Sequence, residues 1–224
     1  MKYELQTIPI WRAYEAEPGC VLCSLADELE AQYVRFHLGN SIMEPKTRVA
    51  VNEQGFCHRH LRLLLHGGNK HGFSLMMQTH IEQLQEQHLK QLHKLTGDRR
   101  ASRADRKVLG ELAEALRGQY GRCLICDKME RMLRNYAYTI MYLFRSGEEG
   151  FPEVFEGSTG FCLEHLPLVM ETSADVLSGK DLQSWIDALE RVQQARFQGM
   201  HDLLGAFSDA FDYRTTGRLT ADSR

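Results

Sequence analysis

The sequence predicts an all-α protein made of two similar three-helix halves that pack as a helical bundle. Three observations predict it. Apolar residues recur at three- and four-residue spacing through long stretches, alternating Val, Ile and Thr is scarce, and one ordered set of cysteine, histidine and helix occurs twice in 224 residues.

The first long helix is expected over SLADELEAQYVRFHL, where Leu22, Leu25, Leu29, Tyr33 and Phe36 fall at helical spacing. Its counterpart is DKMERMLRNYAYTIMYLF, with Met129, Leu133, Tyr136, Ile140 and Leu143. Each is followed by a turn-rich stretch, marked by Gly39-Asn40 and Pro45 in one half and by Gly147, Gly150-Phe151-Pro152 and Gly157 in the other. A short helix is then expected near each of the heptads GFCHRHL and GFCLEHL. A longer third helix follows in both halves. Over about 72–95 its stripe is Met77, Ile81, Leu84, His88 and Leu95, and over about 181–207 it is Leu182, Trp185, Leu189, Val192, Met200 and Leu203. The first half thus spans 1–97 and the second 119–210. Residues 98–118 form a joint and 211–224 a tail that loses its apolar period and is expected to be flexible.

The six cysteines all belong to the repeated set. Cys20-Val-Leu-Cys23 precedes Cys57 and His60, and Cys123-Leu-Ile-Cys126 precedes Cys162 and His165. The offset is 103 residues for both members of the CxxC pair and 105 for the third cysteine and its histidine. A duplication accounts for that near-constant offset.

Residues three apart on a helical turn project from one face, so two ligands from one turn can grip one ion. A second pair from a distant segment completes a tetrahedron. Three thiolates and one imidazole suit zinc in a four-coordinate structural site. The candidate ligands are therefore Cys20, Cys23, Cys57, His60, Cys123, Cys126, Cys162 and His165, with two zinc ions per chain. Each half carries a full set, so closure within a half is preferred: Cys20, Cys23, Cys57 and His60 on one ion, Cys123, Cys126, Cys162 and His165 on the other. The exchanged pairing, Cys20 and Cys23 with Cys162 and His165, is the alternative. An iron–sulfur cluster on the same ligands is less favoured. Gly55 and Gly160 are expected to adopt positive φ and let the backbone approach the ion, and Phe56 and Phe161 to keep water from the sulfurs.

Other residues read more plainly. His58 recurs as Leu163, so it is taken as solvated rather than a ligand. His80 and His88, two turns apart, are taken as the flank of an amphipathic helix. Residues 90–107 contain seven Lys or Arg against two Asp. With no interleaved aromatics, that joint reads as a basic linker and not as a nucleic-acid surface.

A net charge of −3 gives the whole chain no attraction for nucleic acid or anionic membrane. No apolar run approaches membrane-spanning length and no signal-peptide pattern opens the chain, so a cytoplasmic protein is expected. In that compartment, disulfides are not the expected fate of six cysteines. No nucleophile elbow, phosphate loop or dinucleotide fingerprint occurs, and a metal with four protein ligands has no open position for hydrolysis. The expectation is a non-enzymatic, zinc-stabilised binding or adaptor protein whose apolar helix faces form a ligand groove or a homodimer surface. A thiol-based redox or metal sensor is the rival, and an enzyme working between the repeats a weaker third.

The opening MKYELQTIPIW, the CVLC at 20–23, the segment SIMEPKTRVAVNEQGFCHRHL at 41–61 and the following HGFSLMMQTHI together resemble an uncharacterised bacterial family frequent in Firmicutes. The resemblance covers nearly the whole chain and includes both the CxxC and GFCxxH elements. Members usually have Pro after the first Cys of CxxC, where this chain has Val21 and Leu124. The resemblance supports the metal-site positions and implies no activity.

Overall fold

Helix is the only regular structure among the residues described by the computed structural model, which are 5–16, 19–97 and 100–211. The elements run α1 (Thr7–Glu15), α2 (Val21–Leu38), α3 (Pro45–Gln54), α4 (His58–His66) and α5 (Lys70–Leu84). A single π turn, Gln85–Leu89, joins α5 to α6 (Lys90–His93). Then come α7 (Arg103–Tyr120), α8 (Leu124–Ser146), α9 (Phe151–Glu156), α10 (Leu166–Val176) and α11 (Gly179–Asp209). Short 3-10 turns at Asn40–Met43 and Glu148–Gly150 precede α3 and α9. No described helix is long and apolar enough to cross a membrane.

The two halves share one order: long helix, 3-10 turn, short helix, GFC heptad, helix, long helix. This shared order holds one more helix than the three expected, and the first half also carries α1 and the short α6. The additional ones in that order, α3 and α9, have Pro45 and Pro152 in their first turn, where the sequence suggests turns. Proline's fixed φ suits the first helical turn, so Pro45 and Pro152 begin helices here. The joint expected over 98–118 is likewise helical from Arg103. Ser102 accepts from the Asp105 N–H at 3.2 Å, and Asp105 accepts in return from the Ser102 N–H at 2.7 Å. That reciprocal cap is worth about 1 kcal/mol and starts α7 sharply. The tail expected over 211–224 lies, from 212 on, outside the described residues.

The chain divides into two compact units. One comprises Met1–Ala26 with Met132–Arg224, the other Asp27–Arg131. The division falls inside α2 and α8, and not between the halves 1–97 and 119–210.

In the unit built from both ends of the chain the core is aromatic. Phe155 stacks on Trp185 at 4.8 Å, Phe144 meets both edge-on, and Phe161 lies 6.1 Å from Phe155. Trp11 and Tyr14 of α1 both meet Phe151 edge-on at 5.1 Å. In the unit built from the middle of the chain the core is aliphatic: Leu38, Val51, Leu64, Met76, Leu124 and Ile125 enclose Phe56. There α3 is tied to α5 by polar contacts: Arg48 donates to Thr79 Oγ1 (3.1 Å), and Thr79 donates to Asn52 Oδ1 (2.9 Å).

The expected stripes hold best in α2 and α8, where Leu22, Leu25, Leu29, Tyr136, Ile140 and Leu143 are buried. They fail in α5. There the buried line is Gly72, Met76 and His80, whereas Ile81 is exposed. His80 is not a solvated flank: its Nδ1 lies 3.0 Å from the Asn52 carbonyl oxygen and its ring closes on Gly55. A histidine with a backbone partner can occupy a core line, and the small Gly72 lets α5 approach Ile42 closely.

Candidate metal centres

The eight candidate ligands form two clusters of four. Cys20, Cys23, Cys162 and His165 make one, and Cys57, His60, Cys123 and Cys126 the other, all ligand atoms of a cluster lying within 4.8 Å of one another. The pairing is therefore the exchanged one, and the preferred closure within each half is corrected. Each cluster falls inside one compact unit.

The exchange goes with unequal helix lengths. At 1.5 Å per residue α2, from its CxxC onward, is about 27 Å long, and α3 only about 15 Å. The mismatch is larger in the second half, where α8 runs for about 34 Å and α9 covers about 9 Å. Side chains record where the chain arrives. His60 and Arg59 meet Glu30, seven residues beyond Cys23 on α2. Arg134, eight residues beyond Cys126 on α8, pairs with Glu171 of α10 at 3.7 Å.

Local structure presents each ligand. Cys20 and Cys123 directly precede α2 and α8, and their carbonyls accept from the Ser24 and Asp127 N–H groups at 3.4 and 3.0 Å. The second cysteine of each pair stands one turn on. Cys57 occupies the N-cap of α4 and His60 its first turn. The second heptad differs: Cys162 opens a turn, its carbonyl accepting from the Leu166 N–H at 2.9 Å, and His165 caps α10. The Leu124 N–H donates to the Gly55 carbonyl at 3.1 Å, joining the start of α8 directly to the first heptad. In the other cluster the Thr159 hydroxyl donates to the Gly19 carbonyl.

The glycines of both heptads have φ near +70°, as expected, and both are also sterically required. A Cβ on Gly55 would stand 2.7 Å from His80 Nε2, and one on Gly160 2.5 Å from Gln193 Oε1. Gln193 is buried and holds the heptad from both sides: the Phe161 N–H donates to its Oε1 (2.6 Å), and its Nε2 donates to the Phe161 carbonyl (3.0 Å). Phe56 and Phe161 are buried. His58 and Leu163, the position that differs between heptads, are both exposed, and neither is a member of the two clusters.

Tetrahedral zinc with bonds of about 2.3 Å to sulfur and 2.0–2.1 Å to nitrogen has edges of about 3.8 Å between sulfurs and about 3.5 Å from sulfur to nitrogen. In the middle-of-chain cluster His60 Nδ1 lies 3.2 Å from Cys57, 3.2 Å from Cys123 and 3.4 Å from Cys126, and Cys57 lies 3.8 Å from Cys126. In the other, His165 Nδ1 lies 3.3, 3.4 and 3.8 Å from Cys162, Cys23 and Cys20, and Cys23 lies 3.5 Å from Cys162. Both donor sets fit one tetrahedral ion, and in both the imidazole turns Nδ1 inward.

That orientation leaves His60 Nε2 facing Glu30 Oε1 at 3.0 Å. The approach is oblique, so the pair is a close electrostatic contact rather than an aligned hydrogen bond. Glu30 is itself held by Arg59, at 2.8 Å from Nε to Oε1 and 2.8 Å from Nη2 to Oε2. Neither Glu30 nor Gln193 was singled out from the sequence. Glu30's place on a long helix, two turns past CxxC, carried no signal by itself.

The thiols are not equivalent without a cation. Burial, then the neighbouring sulfurs, pushes Cys23 up to about 12 and raises Cys126 as well. Burial also works to raise Cys57, but the backbone N–H groups of His60 and Arg59 and the adjoining thiols overcome it and bring Cys57 below the ordinary thiol value. Burial lowers His60, with Glu30 opposing, so its neutral, ligand-competent form prevails. A divalent cation favours thiolates, so it reverses the balance at Cys23 and Cys126 and reinforces it at Cys57.

Fold and site define an all-α protein with two closed Cys3His clusters fit to hold metal. The chain belongs to a family of unknown function, DUF6062, whose model matches residues 1–224. No curated protein and no solved structure matches it.

Proposed function

We propose that this chain is a zinc-stabilised binding or adaptor protein of a reducing compartment such as the cytoplasm, with two structural Cys3His sites. The observation that carries the reading is the pair of four-atom donor sets at tetrahedral spacing. Each consists of four protein ligands and so leaves no position for a water or substrate. Structural zinc sites contribute folding free energy directly, because the unfolded chain has no preformed site. On this reading each ion fastens one CxxC to the heptad of the other half, and a duplicated ancestor supplied both. The exposed apolar helix faces are then left for partners.

The sensor reading has one observation in its favour: Cys126 is exposed and lies 3.8 Å from Cys57. Peroxide would take two electrons from this thiolate pair, forming a disulfide, becoming water and releasing the ion.

Metal analysis of protein purified without added metal tests both. The structural reading expects about two zinc per chain, retained under mild peroxide. Rapid loss of one zinc with one new disulfide would favour the sensor. Absence of metal from protein purified anaerobically would overturn both.

A further inference from the structure

The second half of α11 is exposed on every side. All thirteen residues from 197 to 209 are exposed, while the buried residues of this helix, Trp185, Ala188, Leu189, Val192 and Gln193, lie in its first half. A helical stretch of that length is marginal in water without a packed face.

Its composition is not that of a solvated helix. Phe197, Met200, Leu203, Leu204, Phe207 and Phe211 are each 42–70% exposed. At about 100° per residue these six fall within one arc of about 120°. The rings of Phe207 and Phe211 meet at 4.8 Å, which keeps the stripe continuous past the last turn. Asp202 and Asp209 fall on the opposite side of the helix.

We propose that this stripe is a dimer surface, on which two copies of the chain pair the second halves of their α11 helices about a two-fold axis. Phe197, Met200, Leu204, Phe207 and Phe211 alternate at spacings of three and four, the repeat by which one helix seats its side chains between those of another. No charge enters the arc between Phe197 and Phe211, so two copies meet without like-charge contact. The stripe exposes roughly 600 Å² of apolar surface per copy, taking side chains of roughly 150–200 Å² at those exposures. That is the size of the largest patches monomers leave uncovered. Doubled, it reaches the lower bound for a specific interface, about 1,200 Å². Residues 212–224 lack the apolar content to cover it, having only Tyr213 and Leu219 as large apolar residues. The inference stands on α11 alone and does not depend on the identity of any metal.

Sedimentation equilibrium on the full, metal-loaded chain is the test. The wild type is expected to dimerise. The pair Met200→Glu with Leu204→Glu is expected to raise the dimer dissociation constant at least about 100-fold, as loss of central apolar anchors does. Gln198→Glu with Asp202→Asn, on the opposite side, leaves it unchanged. Far-ultraviolet circular dichroism and metal content identify a variant that has failed to fold. In that event Leu204→Ala with Phe207→Ala replaces it, with an expected rise of at least about 10-fold. A wild type that stays monomeric at the highest attainable concentration overturns the proposal, whatever other protein it binds. A folded stripe variant that still dimerises does so equally.

Discussion

The imidazole of His60 faces three sulfurs with Nδ1 and the Glu30 carboxylate, 3.0 Å away, with Nε2. Arg59, the residue before this histidine, holds the same carboxylate in place. One side chain of α2 thus places its charge beside a candidate ligand of a cluster whose cysteines come from α4 and the start of α8. A carboxylate on the outer nitrogen of a ligating histidine fixes its ring orientation and raises its basicity.

With zinc in both clusters, as proposed, Glu30→Gln is expected to weaken its binding in the His60 cluster by about 10- to 100-fold. The His165 cluster keeps its affinity. Competition with a chromophoric chelator, following the two ions separately, reads this as one zinc lost early and one unchanged.

Gly160→Ala is expected to destabilise the fold by about 1–3 kcal/mol, from positive φ and from displacement of Gln193. Gly55→Ala acts similarly through His80. Gly19→Ala, also at positive φ but with open space around its Cβ position, costs only about 1 kcal/mol. Chemical denaturation of the three variants checks the order.

Gln193→Leu removes both partners of the buried Phe161 peptide groups. Two unsatisfied polar groups cost about 2–4 kcal/mol together. Thermal unfolding should show Gln193→Leu among the most damaging non-ligand substitutions. A change within 0.5 kcal/mol would contradict the role given to this side chain.

His37 is fully buried against Phe36 and Phe56, and among the described residues neither ring nitrogen has a hydrogen-bond partner. Burial, with Lys128 adding to it, lowers it to about 4. The unfolded chain then binds more protons than the folded one between about pH 6.5 and 4. The contribution of neutral His37 is complete above the upper value and is lost as pH falls through that window. His37→Phe keeps the ring, leaves no polar group unpaired and removes this proton. It is expected to be neutral or stabilising at pH 7 and to flatten the fall in stability between pH 6.5 and 4, measured by urea unfolding.

The all-α class and the eight residues that gather into two clusters were legible in the sequence, because helical period and residue spacing are local properties. Cys57 and His60 stand three apart whichever CxxC they join, so spacing cannot choose between partners. The choice goes with helix length: α8, at 23 residues, is far longer than the 6-residue α9 that follows it, and α2, at 18, is longer than the 10-residue α3. Reading Pro45 and Pro152 as turns instead of helix starts hid α3 and α9, and with them that comparison. Glu30 and Gln193 act through contacts made only after folding, and nothing in their neighbourhoods announces them.

Paired deletions of ligands test the exchanged connection most directly. Cys20→Ala with Cys162→Ala removes two ligands of one cluster, and Cys20→Ala with Cys57→Ala removes one from each. With zinc in both clusters, as proposed, the first variant is expected to retain about one zinc per chain and the second close to none, since a cluster reduced to three ligands loses most of its affinity. Near-complete loss in the first with one zinc retained in the second would mean that each half closes its own site, and would contradict the arrangement described.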